Sequence, residues 1–392
     1  MRGLVWLLIV LATSASAGVV EDWNAAFIQA VRKETPPPCL VSRNLPILHL
    51  SIHRAVQDAI KAGLDAKSQE QAAFDAGEGA FKPLFPSQPK LIDDLRAKYG
   101  GNASAEEMKI ASAAVERTFK ERENDGSSTT IHYVPSEKPG QGRRTPPNFR
   151  PPEFPHWGQV KPFVLDDVSK FRAPPPPALD RAAYAKDVNE VKEIGGKTST
   201  KRTAEQTLIA KFWADFSYTT SPAGHWNDIA REVSLQRKLS VAESARLFAL
   251  LNVTLADTCI VIWDTKYHYN YWRPVTAIRR ADEDDNAGTM ADKNWEPLLV
   301  TPPHPEYVSG HSGISGAAAT VLEHFFGTES IAFSADSDDV KDTTRNFTSF
   351  QACAEEFAMS RIYGGIHFPT AGREGLAMGR RIAMAVMPEF KK

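Results

Sequence analysis

Apolar residues recur at helical spacing along most of this chain, and this periodicity constrains the fold more than any other feature. It predicts helices from Val20 to Lys33, Leu40 to Leu64, Gly313 to Phe326, Phe350 to Tyr363 and Arg373 to Met387. No run alternates apolar and polar residues for long enough to indicate a sheet. The sequence therefore predicts an all-α helical bundle.

Two capping boxes predict further helix starts. Ser104 precedes Glu107 by three residues at the head of an amphipathic run, and Ser240 stands in the same relation to Glu243. The second box opens the longest predicted core helix, which continues through Ile260.

Residues 124–178 break the helical pattern. Prolines crowd this stretch, up to the run Pro174 to Pro177, and proline at this density blocks helix and sheet alike. Interleaved aromatic residues such as Phe154 and Trp157 indicate that the stretch packs on the body. We predict one helical domain over residues 18–392, crossed by this irregular segment. A homo-oligomer contact formed by the same segment is left open.

The N-terminus and the net charge indicate where such a protein works. Arg2, the apolar run Leu4 to Ala12 and the small residues ending at Ala17 predict an export signal over residues 1–17. We expect an exported protein, periplasmic or extracellular, with no later membrane span. The formal net charge of −2 gives no general attraction for nucleic acid. Any anion site must then come from a few convergent cations.

The three cysteines are too few for a disulfide-rich scaffold. One bridge among Cys39, Cys259 and Cys353 is left open. Apolar, helical surroundings favour buried free thiols at Cys259 and Cys353.

The stretch Lys266–Pro274 places two cations among aromatic residues. Lys266 and Arg273 are seven residues apart, so they share a face if one helix carries both and ends at Pro274. The functional interpretation is a clamp on an oxyanion, in which Arg supplies a planar fork and Lys a point charge. The alternative is two surface cations beside an aromatic patch.

The stretch Thr301–Ser312 predicts an anion-binding helix start. Ser309 and Gly310 lie where a helix begins, and the unpaired N–H groups there attract anions. Gly310 allows close approach of the backbone, Ser309 adds a hydroxyl, and His311 can act as acid or base. The alternative is a plain N-cap beside an incidental histidine.

The stretch Ser360–His367 adds another arginine and another histidine. Gly364 and Gly365 end the preceding helix and permit a sharp turn. Arg361 would complete the cation clamp and His367 would be a ligand or nucleophile. The alternative is a helix C-cap with a surface arginine.

Two other kinds of site fit the residues poorly. A serine hydrolase elbow needs Gly two residues before Ser309, and Tyr307 stands there. A zinc site would need clustered ligands, but the histidines are scattered and no cysteines are paired in sequence.

Together the three stretches resemble the superfamily of vanadium-dependent haloperoxidases and type 2 acid phosphatases. Its signature is Lys, six residues and Arg-Pro; then Pro-Ser-Gly-His; then Ser-Arg, five residues, His, three residues and Asp. Here Lys266 to Pro274, Val308 to His311 and Ser360 to His367 match in order and spacing. Similarity to exported bacterial haloperoxidases extends over most of the chain and is weakest from about residue 65 to 140.

The resemblance implies a role for each motif residue. Lys266, Arg273 and Arg361 would neutralise the oxygens of vanadate, or of phosphate in the same place. Ser309 and the N–H of Gly310 would donate hydrogen bonds to it. His367 would bond to vanadium, the only metal implied, and His311 would be the acid–base residue.

The implied reaction is oxidation of halide by hydrogen peroxide to hypohalous acid, which then attacks small organic acceptors. The alternative is an acid phosphatase in which His367 accepts the phosphoryl group and His311 protonates the leaving group. A third interpretation is a non-catalytic oxyanion binder, although such a protein need not retain both histidines.

Several positions bear on the choice between these functions. Val308 replaces the family's proline. Ala371 replaces the aspartate that orients the nucleophilic histidine in phosphatases, which weakens the phosphatase case; a backbone carbonyl could substitute. Trp263 resembles the chloride-oxidising type and His304 the bromide-oxidising type, and we expect bromide and iodide to be preferred. Asp215 is a further candidate for steadying Arg361.

Overall fold

A computed structural model describes residues 18–216, 218–328 and 330–390 of the 392-residue chain. The predicted export signal over residues 1–17 lies outside the described residues.

The described part of the chain is helical, as predicted, with one small hairpin. The strands Phe333–Asp336 (β1) and Thr344–Phe347 (β2) pair antiparallel, so the expectation of no sheet is wrong for this short hairpin. The helices are α1 Val19–Glu34, α2 Pro38–Lys61, α3 Ala66–Leu84, α4 Pro89–Tyr99, α5 Ala105–Glu121, α6 Ala182–Ile194, α7 Ala204–Phe212, α8 Ser221–Arg237, α9 Val241–Tyr269, α10 Pro274–Arg279, α11 Gly310–Phe326, α12 Phe350–Tyr363 and α13 Pro369–Val386.

Local chemistry explains where the predicted helices begin. Both capping boxes form, with the Ser104 and Ser240 hydroxyls accepting from the N–H groups of Glu107 and Glu243. Helices α3, α4, α6, α7, α8 and α10 were not predicted individually. Helix α8 is buried around much of its circumference, which blurs the one-sided apolar pattern on which such predictions rest.

Helix α9 is the centre of the fold. It packs against α2, α11 and α13. By length and composition it could cross a membrane, contrary to the expectation that no later segment is apolar enough. However, 94% of its most apolar window is buried inside the protein, which is the environment of a core helix.

The proline-rich segment is irregular, as predicted, apart from short 3₁₀ turns at Trp157–Gln159 and Val168–Phe171. A carboxylate of α9 fixes it: Asp257 accepts hydrogen bonds from the N–H groups of Phe163, Val164 and Leu165 at 2.6–3.0 Å. These bonds satisfy backbone donors that proline-rich chain cannot pair within itself. The segment therefore covers α9 and forms part of the site described next.

Candidate functional site

A cavity of about 430 Å³ is lined in part by the C-terminal half of α9. Its walls are largely apolar and include Phe154, Ile262 and Trp263. Its polar end brings together four of the seven motif residues. They come from the start of α11, the end of α12 and the loop that follows α12: Gly310, His311, Arg361 and His367.

His367 is held in one tautomer by its two neighbours. Arg273 Nη1 donates to His367 Nε2 at 3.0 Å, and His367 Nδ1 lies 2.9 Å from Glu306 Oε1. Because a guanidinium can only donate, Nε2 must present its lone pair, and the proton must be on Nδ1. The imidazole is thus oriented as a neutral ligand or nucleophile.

Glu306 orients His367, a role that the sequence analysis left without a residue. Its Oε1 accepts from His367 Nδ1 and also from the N–H of Phe368 at 2.9 Å. The suggestion that a backbone carbonyl replaces the family aspartate is wrong, since the acceptor at His367 Nδ1 is the Glu306 carboxylate. Complete burial raises the pKa of Glu306 to about 7.

Arg273 does not share a helix with Lys266, which corrects the sequence interpretation. Helix α9 ends at Tyr269 because Asn270 adopts the left-handed conformation, with φ of 48°. Arg273 is instead the N-cap of α10, and Pro274 begins that helix where the missing N–H costs nothing. Its guanidinium donates to His304 through Nε and Nη2, and to Ile366 O and His367 Nε2 through Nη1.

Lys266 is directed at the backbone of the stretch that precedes α11. Its ammonium donates to the carbonyls of Pro305 and Glu306, both at 3.0 Å, and of Val308 at 2.5 Å. These bonds engage all three of its protons. Burial holds the pKa of Lys266 well below its ordinary value, and the positive charge of the neighbouring Arg273 lowers this pKa further.

The start of α11 presents unpaired donors to the cavity, as predicted. Ser309 is the N-cap, and its hydroxyl accepts from the N–H of Ser312. The N–H groups of Gly310 and His311 have no acceptor among the described residues. A side chain built on Gly310 would meet no atom within 4 Å, so its backbone faces open space that a ligand could occupy.

Arg361 is buried, yet part of its guanidinium is unpaired. Nη1 donates to the carbonyls of Trp213 and Ala214 at 2.9 and 3.0 Å, whereas Nε has no partner within the described chain. Asp215 does not bond Arg361; its carboxylate pairs with His225 at 3.2 Å and acts on Arg361 only through its charge. An unpaired buried donor is costly, so this one is suited to receive an anion.

His311 is also held in one tautomer. Its Nε2 lies 3.3 Å from Ala214 O, an acceptor, so Nε2 carries the proton and Nδ1 presents a lone pair. Burial, followed by the charge of Arg361, holds the pKa of His311 well below its ordinary value. Burial is also the main reason for the lowered pKa of His367, and the positive charge of Arg273 is the second reason. Both imidazoles are therefore neutral at pH 7.

The two positions linked to halide choice meet at the cavity wall. The rings of Trp263 and His304 lie 5.2 Å apart. His304 Nδ1 accepts from Arg273 Nη2 at 3.0 Å, which ties this wall to the cations behind it.

The donor set fits a tetrahedral oxyanion such as vanadate or phosphate. Buried cations, an unpaired Arg361 Nε and a helix start surround one imidazole lone pair. Among the residues that the structure describes, no three His, Cys, Asp or Glu side chains converge as ligands for a metal cation.

Relatives of known structure have the same architecture. The crystal structure described as the first bacterial vanadium-dependent iodoperoxidase superposes with a TM-score of 0.82 and 27% identity, over 94% of this chain and 95% of that one. An apo bacterial vanadium-dependent chloroperoxidase gives a TM-score of 0.72 over 91% of this chain and 95% of that one. At 17% identity this second likeness shows the fold alone.

Sequence comparison also finds similarity to vanadium-dependent haloperoxidases, over shorter stretches of the chain. A family model described as the VCPO second helical-bundle domain matches residues 246–392. The vanadium chloroperoxidase of Curvularia inaequalis is 29% identical over 203 residues, 45% of this chain and 33% of that protein. The vanadium-dependent bromoperoxidase of Corallina pilulifera is 30% identical over 99 residues, 23% of this chain and 17% of that protein.

The chain thus matches a third or less of the length of these curated relatives. The family model nevertheless spans all three motifs that build the site, and the iodoperoxidase likeness spans nearly the whole chain. The family model, the curated relatives and the structural likeness together support the vanadium-dependent haloperoxidase superfamily for this chain.

Proposed function

We propose that this protein is a vanadate-dependent haloperoxidase, which oxidises halide with hydrogen peroxide to hypohalous acid. One observation carries the proposal: the neutral His367 lines a cavity beside buried cations, and its Nε2, which accepts from Arg273 Nη1, would become a ligand once that hydrogen bond gives way. Vanadate needs such a ligand together with donors for its oxygens. The relatives named as chloro-, bromo- and iodoperoxidases support this reaction class.

The site residues would hold vanadate in two ways, by direct contact and by nearby positive charge. His367 Nε2 would be the one protein ligand to vanadium, and Arg361 and the N–H of Gly310 would meet the oxygens directly. Arg273 and Lys266 add positive charge from behind, and Ser309 adds a hydroxyl. When bound, vanadate supplies Lewis-acid activation of hydrogen peroxide toward halide.

His311 is the acid–base residue of this proposal. Its Nδ1 lone pair could hold a proton and release it again, while Nε2 stays hydrogen-bonded to Ala214 O. His367 is held by Glu306 and keeps its proton on Nδ1 throughout. The two neutral imidazoles thus have different roles, because His367 is hydrogen-bonded to Glu306 and His311 to Ala214 O.

We propose bromide and iodide as the preferred halides. His304 stands at the cavity wall with Trp263, and its Nδ1 is occupied by Arg273. The likeness to an iodoperoxidase over nearly the whole chain supports this choice. The apolar walls suit small organic acceptors.

Phosphoester hydrolysis is the second candidate, and Glu306 favours it. A carboxylate on Nδ1 raises the basicity of Nε2, as a phosphohistidine mechanism needs. Because Glu306 takes the place of the family aspartate on Nδ1, Ala371 does not disfavour a phosphatase. In that reaction His367 would accept the phosphoryl group and His311 would protonate the leaving group.

An assay with the metal-stripped protein tests both functions. Bromide oxidation by hydrogen peroxide is measured before and after orthovanadate is added, with phosphate as competitor. We expect activity only with vanadate, and suppression by phosphate. No oxidation of any halide, alongside hydrolysis of a simple phosphomonoester that vanadate inhibits, would assign the protein to the phosphatase branch.

Export is a separate proposal that rests on residues 1–17. N-terminal sequencing of the secreted protein should read from Gly18. Retention of Met1 in a cytoplasmic product would contradict it.

A further inference from the structure

Two thiols face each other in the wall of the catalytic cavity. Cys39 lies in the first turn of α2 and Cys259 near the middle of α9, and their Sγ atoms are 4.0 Å apart. Both side chains line the cavity that contains His311, Arg361 and His367. No step of the proposed reaction uses them.

These thiols are shielded from bulk solvent but open to the cavity. Cys39 is 1% exposed and Cys259 is 3% exposed. An oxidant added outside must pass through the cavity to reach them, whereas one made at His367 is already there. The third cysteine, Cys353, is equally buried in α12 but is not among the described residues that line the cavity.

We propose that Cys39 and Cys259 form an oxidative cross-linking site, at which hypohalous acid released in the cavity joins α2 to α9 by a disulfide. The source of the oxidant rests on the proposed haloperoxidase function. The pairing itself rests on the placement of the two sulfur atoms.

The chemistry balances with one hypohalous acid for each pair of thiols. The first thiol sulfur attacks the halogen, so an S–halogen bond forms, the halogen–oxygen bond breaks, and the thiol proton leaves with the hydroxide as water. The second sulfur then displaces halide to form the S–S bond and releases its proton. The two thiols lose two electrons in total, and the halogen is reduced to halide.

Geometry and reactivity both favour this route over direct attack by peroxide. The sulfur atoms lie 4.0 Å apart and must approach by about 2 Å to reach the bonding distance of a disulfide. Burial raises the pKa of Cys39 well above its ordinary value. Because hydrogen peroxide reacts with thiolates, it should be the slower oxidant here.

Three treatments of the reduced protein test the inference, each followed by peptide mapping under non-reducing conditions. They are turnover with vanadate, bromide and peroxide; brief addition of hypobromous acid alone; and peroxide alone. We expect both hypobromous acid and turnover to leave one titratable thiol of three, with Cys39 linked to Cys259 and Cys353 intact. Peroxide alone should leave all three thiols free over the same time.

The two proposals fail in distinguishable ways. If hypobromous acid oxidises Cys353 as readily as Cys39, or yields separate sulfonic acids and no cross-link, the inference is wrong. If added hypobromous acid forms the cross-link but turnover does not, only the haloperoxidase assignment fails. In Cys259→Ala, Cys39 should be oxidised to sulfenic or sulfinic acid without a cross-link; a Cys39–Cys353 disulfide there would overturn the proposed specificity.

Discussion

The predicted site residues form two groups whose donors are used differently. Lys266 and Arg273 lie behind the cavity, and most of their donors are engaged by carbonyls and histidines of the protein. Arg361 and Gly310 line the cavity, and Arg361 Nε and the N–H of Gly310 have no partner in the described chain. We call these groups the supporting cations and the cavity donors.

The comparison shows that a buried cation is not by itself a ligand-binding cation. Removing a charge from water is costly, and hydrogen bonds to backbone carbonyls can offset that cost without any ligand. The supporting cations hold the backbone around Glu306 and His367 in place. The cavity donors keep the unmet hydrogen bonds that an anion can fill.

Substitution of a cavity donor should have the largest effect. Arg361→Met removes a buried charged donor of similar length, which typically costs about 2–5 kcal/mol of binding. We expect the affinity of the metal-stripped protein for orthovanadate, measured by calorimetric titration, to fall about 30-fold or more. The exposed Arg373→Met is the matched control and should bind as wild type. Equal affinity of the Arg361 variant and wild type would remove Arg361 from the cavity donors.

Loss of the carboxylate that orients His367 should have the second largest effect on vanadate affinity. Glu306→Ala frees the imidazole to rotate or change tautomer, and loss of such a partner costs about 10- to 100-fold in metal affinity. Glu306→Gln keeps an acceptor for Nδ1 and should recover most of the affinity. Nitrogen NMR of His367 in the metal-free protein should show the Nδ1–H tautomer in wild type and a mixture in Glu306→Ala. An unchanged tautomer in Glu306→Ala would mean that Arg273 alone fixes the ring.

A supporting cation should matter more for stability than for binding. Lys266→Met leaves three buried carbonyls without their donor, and we expect a loss of about 2–4 kcal/mol in the free energy of unfolding. Vanadate affinity should fall only about tenfold, through the lost long-range charge. Denaturant unfolding and titration on the same samples give both values. A variant of normal stability whose affinity falls as far as in Arg361→Met would show that Lys266 binds the anion directly.

Substitution of His49 should have the smallest effect, and it isolates burial as a cause of a neutral imidazole. Burial and neighbouring cations together lower the pKa of His367, whereas burial alone lowers the pKa of His49, in α2, to about 3. Because the unfolded chain takes up this proton near pH 6.5, stability falls as pH drops below 6.5 toward 3. His49 should contribute about 1 kcal/mol of that loss by pH 5.5.

His49→Gln keeps a donor for Asn24 and should flatten the acid limb of unfolding curves by that amount. An unaltered pH slope in His49→Gln would mean that His49 is already protonated in the folded protein.

The parts of the site that depend on neighbours in sequence were predictable. The N-cap at Ser309 and the glycine turn after Tyr363 form as expected, since caps and turns depend on a few adjacent residues. The main helices follow from apolar periodicity in the same way. Spacing within the motifs also identified the residues that the fold brings together around His367.

The parts that depend on distant contacts were not predictable. Lys266 meets carbonyls some 40 residues away, and Glu306 meets His367 across 61 residues. A periodic pattern carries no information about such pairings. One signal was present: Glu306 is the one carboxylate within the motif stretch 301–312, and a buried carboxylate beside histidines merits a proposed role.

A crystal structure of the orthovanadate complex tests the central claim most directly. We predict that the anion lies in the cavity, bonded to His367 Nε2 in place of Arg273 Nη1 and to the donors of Gly310 and Arg361, with Lys266 still on its three carbonyls. An anion bound elsewhere, or a Lys266 ammonium turned away from Pro305, Glu306 and Val308 onto the anion, would contradict the division between supporting cations and cavity donors.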